Sequence, residues 1–113
     1  MTVNGPLTAA AQKYSYYSFT QADPYQLNHN LDGTPSDRAA REGYTGLVGE
    51  VLATSAPSPD QIINLWMSSP PHYSILMGAQ YVEIGMGCEE GPYRLSTGGV
   101  MTVALCVGDL GYH

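Results

Sequence analysis

The sequence predicts an α+β domain. Three observations carry this reading. Segments with helical spacing dominate the first two thirds of the chain. An alternating run, Val82, Ile84, Met86 and Cys88, follows them. A second apolar run, Val100–Val107, comes after a polar, glycine-rich stretch from Glu89 to Gly99. Helices first and an antiparallel hairpin last is the α+β order.

Each element has a local cause. Leu7, Ala10, Ala11, Tyr14 and Tyr17 or Ser18 share one face of a helix reaching about Phe19, with Pro6 in its first turn. Residues 28–33, Asn-His-Asn-Leu-Asp-Gly, form a loop. Thr34, Pro35 and Asp37 start a short helix with a capping box, and Gly43 is its left-handed stop. Tyr44–Ala56 is read as a connector of mixed character. A third helix opens at Ser58-Pro59, buries Ile62, Leu65 and Trp66, and breaks at Pro70-Pro71. His72–Met77 is a further short helix before Gly78. Val100–Val107 is apolar on both faces and so belongs inside a layered fold.

Composition narrows the function classes. A chain of 113 residues is expected to form a single domain, 1–113. With 4 Lys+Arg against 10 Asp+Glu the charge is −6, and the four cations are scattered. Nucleic acid, which needs clustered cations, is excluded as a partner. No apolar run approaches the ~18 residues of a membrane helix. Charged residues make up only 12%, so nine tyrosines and the neutral polar residues must cover much of the surface. Residues 1–6 lack the basic and apolar regions of a signal peptide.

Cys88 and Cys106 are the two cysteines. Their spacing is neither that of a redox pair nor that of a zinc knuckle. They are either one disulfide, made in an oxidising compartment, or two buried thiols. The disulfide is favoured, and would add roughly 3 kcal/mol by the chain-entropy argument.

Five segments, in order, resemble the bacterial branch of the CAP superfamily (cysteine-rich secretory, antigen 5 and pathogenesis-related 1 proteins), also called SCP-like extracellular domains. Pro6–Gln12 resembles the PLxxAAQ helix start, and His29–Arg38 the H-x-x-x-D-G-x-x-P-x-x-R segment, shortened by about one residue. Gly49–Ala53 is similar to the GENIA motif, and Trp66–Leu76 to W-x-x-S-P-G-H-R-x-x-I-L. Tyr81–Gly87 resembles the strand that follows. The resemblance implies an α–β–α sandwich with a central antiparallel sheet, usually extracellular or in the cell envelope. It also implies a shallow cleft lined by two histidines and acids. His29, Glu50 and His72 match cleft positions. Ser69 stands where many members carry a second acid, so the tetrad is incomplete. Pro71, Tyr73 and Val51 also depart from the pattern, and the usual opening helix is missing.

Several chemistries remain open for this cleft. Two imidazoles and a carboxylate suit zinc or a similar divalent ion, bound weakly through three ligands. The same groups could instead form a hydrogen-bonded cluster that ties the His29 loop to the Glu50 segment. A hydrolase would use Ser69 as nucleophile and His72 as base, but no G-x-S-x-G elbow supports it. Glu83 is either an acceptor fixing His29 or His72, or a solvated charge. The residues favour a binding or scaffold module over an enzyme, with a small molecule, lipid, cell-wall glycan or protein as partner.

Overall fold

Asn4 opens the first helix. Its side chain accepts a hydrogen bond from the Leu7 N–H at 3.0 Å, capping α1 (Gly5–Gln21). Its own N–H donates to the Ile84 carbonyl at 2.8 Å, which fixes the helix start on the sheet. The computed structural model describes residues 2–25, 27–55 and 83–112. The expected third helix, the short helix after it, and with them Trp66, Ser69 and His72, lie outside the described residues.

The helix α2 (Pro35–Arg41) has the expected capping box. Thr34 Oγ1 accepts from the Asp37 N–H, and Asp37 Oδ2 accepts from the Thr34 N–H, both at 3.1 Å. The Thr34 N–H first, then the Thr34 hydroxyl, holds the Asp37 carboxyl below the usual carboxylate range. Gly43 follows with φ 96°, a left-handed conformation that suits glycine.

Four strands form one sheet in the order β1-β3-β4-β2. They are β1 (Thr2–Val3), β2 (Leu47–Ser55), β3 (Glu83–Arg94) and β4 (Val100–Tyr112). β4 pairs antiparallel with β2 and β3, while the two-residue β1 runs parallel to β3 at the edge. Three expectations are corrected here. The connector over Tyr44–Ala56 is largely the strand β2. It was hidden because Val51, Leu52 and Ala53 are all buried, so no period of two is visible. The polar segment after Cys88 stays in β3 to Arg94, so only residues 95–99 form the turn. β4 runs on past Val107 to Tyr112.

α1 packs on β3 and β4 with Leu7, Ala10, Ala11, Tyr14, Ser15 and Ser18 buried. Gly85 and Gly87 permit this close approach. A Cβ on Gly85 would lie 2.1 Å from the Leu7 carbonyl carbon, and one on Gly87 would lie 2.4 Å from Gln12 Cα. Ala11, Tyr14, Leu52, Leu105 and Val107 cluster on this helix side. Val51, Ala53, Ala104, Cys106 and Leu110 form a second cluster on the opposite face, with Ile84, Met86 and Cys88 against it. Both faces of the sheet are therefore apolar and buried, as an α–β–α sandwich requires.

Cys88 and Cys106 face each other directly in the β3–β4 ladder and are joined as a disulfide. With a sequence separation of 18, opening it is expected to cost roughly 3 kcal/mol. Urea unfolding with and without reductant measures this. An unchanged midpoint would assign the stability of the hairpin to packing alone.

Candidate functional site

Arg38 organises the site. It lies on α2, nine residues after His29, with its guanidinium carbon 3.4 Å from the centroid of the Tyr14 ring. Its Nη1 donates to Glu50 Oε2 at 2.7 Å and its Nη2 donates to Glu50 Oε1 at 3.0 Å. This is the two-pronged geometry for which guanidinium suits carboxylate. Nη2 also donates to the His29 carbonyl at 2.6 Å. One side chain thus holds the strand carboxylate and the loop that carries the histidine.

Tyr14 fixes the same loop from below. Its hydroxyl donates to the Asn28 carbonyl and accepts from the Leu31 N–H at 3.1 Å. His29 is thereby placed with Nδ1 2.9 Å from Glu50 Oε1. The two partners differ in exposure. The Glu50 side chain is 1% exposed, whereas that of His29 is 50% exposed. Arg38, at 4%, is buried with its carboxylate.

The electrostatics favour an ionised Glu50. Burial alone would push its carboxyl up. Hydrogen bonding with His29, Asp109 and Arg38, together with the Arg38 charge, outweighs burial and holds it below its usual value. An ionised carboxylate can only accept, so the His29 hydrogen sits on Nδ1. In the neutral ring Nε2 then carries the free lone pair.

Asp109 is the residue that sequence reasoning missed. It pairs with Glu50 in the β2–β4 ladder and is 0% exposed. Neither of its carboxyl oxygens has a hydrogen bond of ordinary geometry to a described residue. Burial first, then the facing Glu50 carboxylate, raises it to about 10, so it is a neutral acid at pH 7. A carboxylate offers about four acceptor positions. His29 and Arg38 fill three on Glu50, and a neutral acid suits the fourth better than a second carboxylate would. Its only sequence signal is an acid in the apolar run of β4.

Glu83 accepts two hydrogen bonds from described residues. Its Oε2 accepts from Asn4 Nδ2 at 2.7 Å and its Oε1 accepts from the Tyr44 hydroxyl at 3.1 Å. It ties the start of α1 to Tyr44 and is not a solvated charge; the acceptor on His29 is Glu50, and His72, the other histidine expected near Glu83, lies outside the described residues. Burial and the Glu83 carboxylate push the Tyr44 phenol up to about 12.

The structure therefore brings His29 and Glu50 together, as the sequence suggested, and adds Arg38 and Asp109. Among the described residues, no group of three or more His, Cys, Asp or Glu is arranged to hold a metal ion. No described helix is long and apolar enough to cross a membrane.

This arrangement sits in a fold shared with two solved bacterial proteins. An outer surface protein from Borrelia burgdorferi superposes with a TM-score of 0.66 at 19% identity, covering 100% of this chain and 77% of that one. An extracellular protein containing an SCP domain from Bacillus anthracis superposes with a TM-score of 0.71 at 17% identity, covering 100% of this chain. This chain spans 34% of that protein's length. No curated protein sequence is significantly similar to the chain. The family model for the cysteine-rich secretory protein family matches residues 1–107. The ordered motifs, the sheet flanked by apolar clusters and this match agree: the chain belongs to the cysteine-rich secretory protein (CAP) family.

Proposed function

We propose that the chain is a binding module of the extracellular space or cell envelope whose ligand-facing group is the Nε2 of His29. The observation that carries this is the difference in exposure within one hydrogen-bonded pair. Glu50 is fully engaged and closed off, while His29 is half open with its tautomer fixed. Glu50 is thus the holder of the imidazole rather than a ligand in its own right. The two structural neighbours, an outer surface protein and an extracellular protein, support that location.

Divalent-metal binding fits this geometry as a second reading. A ligating histidine commonly passes its other ring hydrogen to a carboxylate, as His29 does to Glu50. His72 would supply the second imidazole, and the coordination would remain open and weak. The hydrolase reading depends on Ser69 and His72, which lie outside the described residues.

Zinc calorimetry on the wild type, His29→Ala and Glu50→Gln tests the metal reading. Expected is weak binding that His29→Ala abolishes and Glu50→Gln weakens about 10–100-fold. Binding should release protons and fade toward acid pH, because a ligating imidazole must be neutral. Equal heats from wild type and His29→Ala would remove His29 as a metal ligand. The broader binding role is tested by screening envelope glycans and lipids by NMR. Ring-signal changes at His29 support it; ligands that perturb only remote residues contradict it.

A further inference from the structure

The outer side of α1 carries an open groove of about 630 Å³. Gln12, Lys13, Tyr16, Tyr17 and Thr20 from the helix line it, with Glu89 from β3 on one side. Its walls combine aromatic rings with acceptors. Tyr16 is 58% exposed. Gln12 Nε2 donates to the Cys88 carbonyl at 3.0 Å, which fixes that amide with its oxygen left to accept.

The charges around the groove do not cancel. Lys13 Nζ donates to both Glu42 oxygens, at 2.8 and 2.9 Å, so its charge is already matched. Asp32, which also lines the groove, is matched by Arg41 at 3.0 Å. Glu89 has no ion-pair or hydrogen-bond partner among the described residues. Among the described residues lining the groove, what remains is one unmatched carboxylate beside tyrosine rings, on a chain of net charge −6.

We propose that this groove binds an organic cation, an alkylammonium or guanidinium group carried on a short apolar stem. The stem lies along the Tyr16 and Tyr17 rings, and the cation meets Glu89 with the ring faces in support. Cation–ring attraction is worth about 0.5–1 kcal/mol at exposed sites, and the carboxylate adds direction. Inorganic or phosphorylated anions are disfavoured by the same charge balance. This site is separate from His29 and does not depend on the function proposed for it.

The test is an amide-shift NMR titration of the full chain with butylamine and agmatine, using butanol as the neutral control. Expected are shifts at Gln12, Tyr16 and Glu89 with millimolar affinity for both amines, and none for butanol. Glu89→Gln should weaken the amines about tenfold. Glu90→Gln, one residue on and exposed, should leave them unchanged. Equal binding of butanol would show a merely apolar groove. Equal loss in the two Glu variants would show diffuse charge attraction. Either result, or no shifts at these residues, overturns the proposal.

Discussion

Replacing Arg38 with Met is expected to remove about 3–5 kcal/mol of stability near pH 7. That is a large share of the ~5–15 kcal/mol that holds a small domain together. The loss follows from leaving Glu50, at 1% exposure, ionised and without its two guanidinium bonds. It also releases the His29 carbonyl and the packing over Tyr14. The pH dependence has a definite sign. A carboxyl held low in the folded state stabilises above its unfolded pKa, and that contribution is lost as pH falls through the lowered folded value. In Arg38→Met the reverse holds, because Glu50 can accept a proton and become tolerable. The gap between variant and wild type should therefore begin to narrow above about pH 4.5, as the variant Glu50 takes up a proton, and go on narrowing below it as the wild-type contribution is lost. Arg38→Lys should fall between the two, keeping charge and losing the two-pronged contact. Urea unfolding at pH 7 and pH 4 measures both effects. A constant gap across that range would place the Arg38 contribution in packing and not in the ion pair.

The second large effect has the opposite direction. Asp109→Asn is expected to stabilise the fold by about 1–3 kcal/mol at pH 8. Asp109 rises from 3.8 to about 10 on folding. A group whose folded pKa is raised costs nothing below its unfolded pKa, where both states hold the proton. Above that value the unfolded state gains by ionising, so the cost grows with pH toward 10. Asparagine keeps the shape, offers an N–H toward Glu50 and never ionises. The gain should thus be near zero at pH 4 and increase steadily to pH 8. A variant less stable than wild type at every pH would mean that Asp109 is ionised in the fold and serves as a charge. Because Asp109, Glu50 and Arg38 share one network, the two substitutions should not be additive.

Much of this architecture is legible in the sequence, and the remainder has physical reasons. Leu7, Ala10, Ala11 and Tyr14 announced the buried face of α1, since a helix resting on a sheet must repeat its apolar contacts every three to four residues. Thr34, Pro35 and Asp37 announced α2, because capping is local chemistry. β2 was not announced. A strand covered on both sides loses its alternation, and Gly49-Glu50-Val51 then reads as a connector.

The site divides the same way. His29 and Glu50 came from motif order, and in their 2.9 Å contact the fold joins segments 21 residues apart. Arg38 was present in the matched segment, yet nothing in its spacing said that it would be buried. Asp109 was hidden among apolar neighbours, because a neutral acid fits where an ionised one would not. Glu83 lies on the helix side of β3, but the strand pattern alone could not reveal the Asn4 and Tyr44 contacts that bring distant segments to it.

The nitrogen spectrum of the His29 ring tests the central claim most directly. At a pH where the ring is neutral, a protonated Nδ1 and a bare Nε2 are expected, with Glu50→Gln releasing that preference. A neutral ring protonated on Nε2 would contradict it, since the imidazole would then not be held by the Arg38-clamped carboxylate.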